Sequence, residues 1–206
     1  MNNYLLSIFI LFVCLNSYCQ IKDTIMLEEV KIFTTNKKVE HLKTKGELSS
    51  LTGNPIKGII SKVDEIPEGK LSSIKFFFNR SSILFLKDSE RANYKNVELV
   101  LLIYDVKADG TPAELLIDKV IMFTLNSQNN DFIELDLNPL HLNTSITMFF
   151  GIELLNKQIG KDFKIMTKCN NKNSNLLYLK TWNSENWYHS DIHCGMKLDI
   201  GITVIK

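Results

Sequence analysis

The stretch that decides the fold runs from Val97 to Leu155. It opens VELVLLIYDV (Val97–Val106), turns at ADGTP (Ala108–Pro112) and continues ELLIDKVIMFTL (Glu114–Leu125). A polar break, NSQNN (Asn126–Asn130), leads to DFIELDL (Asp131–Leu137) and TMFFGIELL (Thr147–Leu155). In the first segment Val97, Leu99, Leu101 and Ile103 alternate with Val100, Leu102, Tyr104 and Val106. Both faces are apolar, so the segment reads as a central strand covered on both sides. Ile133, Leu135 and Leu137 share one face of the third segment, and Met148, Phe150, Ile152 and Leu154 one face of the last.

Outward from there the chain keeps a period of two. LSSIKFFFN (Leu71–Asn79) puts Ile74, Phe76 and Phe78 on one face, and the last strand, read as Met196–Ile205, does the same with Leu198, Ile200, Ile202 and Val204. Ile56–Val63 and Leu176–Trp182 read as further short strands, Ile25–Phe33 as an edge strand or arm, and Ser82–Leu86 as a continuation of the Leu71–Asn79 strand after a bend at Asn79-Arg80. Turn residues stand between them at Gly53-Asn54-Pro55, Pro67-Glu68-Gly69 and Asp109-Gly110-Thr111-Pro112. No segment holds a period of 3.6 over three turns. About ten short strands with such punctuation predict an all-β, antiparallel β-sandwich of jelly-roll type in a single domain. The sandwich is expected over 53–206. Residues 20–52 are read as an N-terminal arm and a solvated basic linker, with NKKVEHLKTKGE (Asn36–Glu47) carrying four Lys and two Glu.

The first nineteen residues form a separate object. Leu5–Leu15 is an eleven-residue apolar run, too short to span a bilayer as a helix. With small residues Ser17 and Cys19 after it, the segment reads as a signal peptide cleaved before Gln20. A lipoprotein reading would instead acylate Cys19. Either way the protein is expected to be exported to the periplasm, envelope or exterior, with no transmembrane span in the mature chain. Export leaves Cys169 and Cys194 as an even pair in an oxidising compartment, and a disulfide is expected between them.

Lys plus Arg number 24 and Asp plus Glu 23, a net charge of +1. Such a balance gives no footprint for nucleic acid. No phosphate loop, nucleophile elbow or zinc-protease motif occurs. Glu134 and Asp136 lie two apart on a polar strand face, where alternating acids serve solubility rather than glycoside cleavage. His189, Asp191 and His193 have the spacing of metal ligands on one strand face, but they stand in a polar loop, and no metal or cofactor is assigned. The sequence therefore points away from an enzyme.

One stretch concentrates ligand-binding chemistry: TWNSENWYHSDIH (Thr181–His193) holds both tryptophans of the chain. A hairpin there is expected to bring Trp182 and Trp187 together, with Tyr188 and His189 beside them, as a platform for a sugar face. The reading preferred over a platform is that one tryptophan seals the end of the sandwich and the other caps the hairpin by cross-strand packing.

The segments LEEVKI (Leu27–Ile32), GKLSSIKFFFN, VELVLLIYDV, GTPAELLIDKVI, DFIELDL and FFGIELL, followed by the Trp hairpin and LDIGITVIK, form one pattern. It resembles the C-terminal region of exported bacterial proteins of the carboxypeptidase-like regulatory domain-containing type, common in Bacteroidetes. The similarity covers nearly all of the mature chain and includes the turn proline Pro112. Those proteins usually carry an N-terminal regulatory β-domain, for which this chain leaves no room. The resemblance implies a β-sandwich on an exported protein and no peptidase residues. The expected function is a non-catalytic binding module for a glycan or another cell-envelope ligand. The competing reading is a structural or protein-interaction domain of the envelope.

Overall fold

The computed structural model describes residues 37–52, 56–78, 97–126, 131–156, 164–170 and 176–205. The segment read as a signal peptide and the strands read at Ile25–Phe33 and Ser82–Leu86 lie outside the described residues. Among those described, the chain forms fourteen strands and one 3-10 turn, Asn138–Leu140. The strands are β1 (Lys37–Lys43), β2 (Glu47–Thr52), β3 (Ile56–Val63), β4 (Lys70–Phe77), β5 (Val97–Val106), β6 (Pro112–Leu115) and β7 (Met122–Leu125). They continue with β8 (Phe132–Asp136), β9 (Met148–Leu154), β10 (Lys164–Cys169), β11 (Leu177–Thr181), β12 (Tyr188–His189), β13 (Cys194–Met196) and β14 (Leu198–Ile205).

Every pairing is antiparallel, and three sheets result. One has the order β1-β14-β4-β8, a small one β13-β10-β2, and the largest β12-β11-β3-β9-β5-β6 with β7 also on β5. The fold is all-β and sandwich-like. Its main core takes Ile74, Phe76, Ile200 and Ile202 from the four-stranded sheet and Ile59, Leu99, Ile103, Phe150 and Ile152 from the large one.

The alternation read in β5 accounts for its place. Val97, Leu99, Leu101 and Ile103 are buried in the main core. Leu102 is buried on the other face, in a satellite cluster with Ile60, Phe149 and Tyr178, where Val100, Tyr104 and Val106 are half-buried. The strand is bonded on both edges, to β9 on one and to the short β6 and β7 on the other. The middle of the sheet belongs to β3 and β9.

Two readings need correction. The segment taken as a solvated linker is sheet: β1 pairs with β14 along its full length, Lys37 with Ile205 through to Lys43 with Asp199, and β2 pairs with β10. The sandwich therefore begins before residue 53. An edge strand needs little apolar surface, because backbone hydrogen bonds hold it and charged side chains guard its open side. Leu42 alone of β1 packs on the main core. The second correction is that Met196 does not begin the last strand. It ends β13, which lies in another sheet from β14.

Candidate functional site

The hairpin stretch lies against the outer face of the large sheet, and register explains what it meets there. Lys180, Gly58, Glu153 and Val100 form one row across β11, β3, β9 and β5; Tyr178, Ile60, Gly151 and Leu102 form the next. Two glycines in adjacent rows leave a depression. At Gly151 the strands pack so closely that a side chain would run into the Ile59 carbonyl. At Gly58 the space is filled by Trp187, whose Cη2 lies 2.8 Å from where a Cβ would stand.

Trp187 is half-buried and roofs the satellite cluster. Its ring meets Tyr104 edge-on, with centroids 6.0 Å apart, and the Lys180 ammonium sits 5.7 Å from its centroid. Below it Phe149 and Tyr178 make a T-shaped pair at 5.3 Å. Burial pushes the phenols of Tyr104 and Tyr178 above their ordinary value; at Tyr104 a hydrogen bond with Trp187 opposes this.

Four charges fasten the hairpin down. Register steps from Thr181↔Ile56 to Lys180↔Gly58, so Lys57 is the extra residue of a bulge. Its ammonium lies 3.3 Å from Glu153 and 2.9 Å from Glu185. Lys180 closes the square, 3.2 Å from Glu153 and 2.8 Å from Glu185. Hydrogen bonds from Lys180 and then Lys57 hold the Glu185 carboxyl at about 2. The Lys57 ammonium is raised, first by its bond to Glu185. Burial alone would lower Lys180, but its bonds to Glu185 and Glu153 outweigh that and raise it.

The two tryptophans form no shared platform. Trp182 packs against the main core and Trp187 against the satellite cluster on the opposite side of the sheet. Strand alternation after Tyr178 and Lys180 would have put Trp182 beside Trp187. The strand ends at Thr181, however, and the chain turns there. Tyr188 is 42% exposed, and His189, also exposed, rests its ring against Tyr178 at 5.3 Å. Asp191 and His193 follow the end of β12 in an exposed connection, so they do not share a strand face with His189. Among the described residues no group of three or more His, Cys, Asp or Glu is placed to hold a metal ion.

Cys169 and Cys194 face each other across β10 and β13 and are bridged, with S–S 1.98 Å. Glu134 and Asp136 lie on the outer face of the four-stranded sheet, where Lys75 pairs with Glu134 at 3.1 Å and Asp136 accepts hydrogen bonds from Asn138. The residues that sequence reading missed are Gly58, Lys57, Tyr104, Glu153, Lys180 and Glu185. A lone acid in FFGIELL and a lone lysine after two apolar strand residues were the only local signals.

The site is a surface rather than a pocket. A cleft of about 630 Å³ runs along Pro67–Lys70, Asn143, Thr144 and Val204, and one of about 320 Å³ lies between Leu42–Lys45 and Lys62–Glu65. Neither is lined by the hairpin. Comparison with protein-family models, curated proteins and solved structures finds no match for this chain.

Proposed function

We propose that this chain is an exported, non-catalytic β-sandwich binding module that receives a glycan or another cell-envelope ligand on the Trp187 hairpin. What supports the reading is the rigidity of that surface. Trp187 is seated on Gly58 and edged by Tyr104, while Glu185 beside it is held by two lysines. Exposed Tyr188 and His189 continue the strip. Sugar faces stack on aromatic rings fixed in this way, and the surrounding Lys180, Glu185 and Asn186 supply polar contacts. Trp182 has no part in the site.

The second reading, a structural or protein-interaction domain, draws on a different observation. Leu115, Val120 and Met122 are exposed at and beside β6 and β7, with Val120 at 75%. Exposed apolar side chains gathered near one edge fit a protein contact.

A glycan array with the mature protein, together with a pull-down from the native envelope, separates the two. Tyr188→Ala is expected to keep thermal stability and to lose glycan binding. Retention of binding in both Tyr188→Ala and Trp187→Ala would remove the hairpin as the site. A copurifying envelope protein with no glycan signal would favour the second reading.

A further inference from the structure

The outer face of the small sheet carries a chemistry different from that of the hairpin, and register defines it. One face of β10 points inward, where Ile165 and Thr167 are buried with Met196 and Cys194 of β13. The other face presents Lys164, Met166 and Lys168 outward, level with Leu48 and Ser50 of β2. Lys197 joins β13 to β14 and keeps the alternation, since its neighbours Met196 and Leu198 are both buried. It therefore stands on the same side, beside Met166, whose carbonyl accepts its N–H at 2.8 Å. Among the described residues, register puts three lysines and no carboxylate on this face.

Lys197 marks the seam with the four-stranded sheet. Among the described residues its ammonium meets no carboxylate; it lies 4.0 Å from the centroid of the Phe77 ring. The next acids along the register, Asp199 and Glu134, are engaged by Lys43 at 3.5 Å and Lys75 at 3.1 Å.

Apolar side chains stand among these cations. Leu48 is 57% exposed and Met166 is half-buried. Across the seam Phe77 meets Phe132 with ring centroids 5.9 Å apart, and Phe132 remains 36% exposed. Lysines mixed with exposed apolar tips on one sheet face match a surface that is anionic above and hydrocarbon below.

We propose that this face docks on an anionic lipid surface, with Lys164, Lys168 and Lys197 at the phosphate layer and Leu48 and Phe132 dipping beneath it. Long lysine stems reach the headgroups while their apolar neighbours enter the acyl boundary. An acidic polysaccharide would engage the lysines and leave Leu48 and Phe132 in water, so the apolar tips favour lipid. The contact is peripheral and uses none of the hairpin residues.

The test is co-sedimentation of the mature protein with vesicles of phosphatidylcholine, alone or mixed with phosphatidylglycerol, at low and at high salt. Binding is expected to the anionic vesicles only and should weaken as salt rises. Lys197→Gln should weaken it about 5-fold, the share of one lysine near a charged surface. Leu48→Ser should cost a similar factor through lost apolar burial, and Trp187→Ala should leave binding unaltered. The proposal is overturned if both vesicle types bind equally or neither binds. It is also overturned if the Leu48→Ser, Lys197→Gln double variant binds like the parent. Binding to soluble polygalacturonate without binding to vesicles would assign the face to acidic polymers instead. Should the double variant lose the parent's circular dichroism spectrum, Leu48→Ser decides alone, because that side chain is already mostly in water.

Discussion

The indole of Trp187 rests on the bare backbone of Gly58: a methyl group there would stand 2.8 Å from Trp187 Cη2. The methyl would meet the edge of a side-chain ring rather than backbone, so the ring is what has to shift. Gly58→Ala is therefore expected to cost about 1–3 kcal/mol, the usual range for overpacking, and to change tryptophan emission as the ring lifts. Gly151→Ala should be worse. Its methyl would meet the Ile59 carbonyl, which the β3–β9 ladder holds in place. Urea titration of both variants checks the order, and equal stabilities would show that the Trp187 contact is not tight.

Glu185 carries the pH dependence of the hairpin. Its carboxyl is held at about 2 against an ordinary 4.5, by Lys180 first and Lys57 second. A carboxylate with a depressed folded pKa contributes stability above its unfolded value and loses it as pH falls through its folded value. The fastening should thus be intact at neutral pH and fade between 4.5 and about 2. The side chain is 75% exposed, so water and salt screen the pair and the effect stays local. Near-ultraviolet circular dichroism of the tryptophans should shift in that window and weaken in high salt. Glu185→Gln should remove the transition; its persistence in that variant would assign it to other carboxylates.

How much of this was readable follows from what register conceals. Apolar alternation in β4, β5, β8, β9 and β14 is local, and so is the turn at Asp109–Gly110, where Asp109 accepts from Thr111. Those features were legible, as was the cysteine pair. The charge-rich β1 hid its nature because an edge strand is held by its backbone rather than by an apolar face. The ion square could not be seen, since Lys57 and Glu185 stand 128 residues apart and meet only through the order β11-β3-β9. The same holds for the bulge in β4 opposite Gly201, which no residue type announces.

The Cys169–Cys194 bridge closes a span of 25 residues containing the hairpin. Cross-linking a loop of that length is worth roughly 3–4 kcal/mol through the unfolded chain. For a domain of this size the loss should lower Tm by roughly 10 °C. Calorimetry with and without reductant gives the number, and a Cys169→Ala, Cys194→Ala double variant should match the reduced protein. Peptide mapping without reductant that found both thiols free would refute the pairing.

A last prediction concerns the seam between sheets. Ser61 Oγ on β3 accepts the backbone N–H of Met196 on β13 at 2.6 Å, and both residues are buried. The bond ties the large sheet to the small one, two residues from the bridged Cys194. Ser61→Ala removes the acceptor while the amide stays buried, and a donor left unpaired in this way costs about 1–3 kcal/mol. Ser61→Thr keeps the hydroxyl and adds a methyl to a packed position, so its loss would come from crowding instead. Hydrogen exchange separates the two causes. In Ser61→Ala the Met196 amide should exchange faster than the global loss of stability explains. In Ser61→Thr its protection should fall only in step with global stability. A Ser61→Ala change within about 0.5 kcal/mol, with Met196 still protected, would mean that another acceptor takes over and that this hydroxyl does not hold the seam.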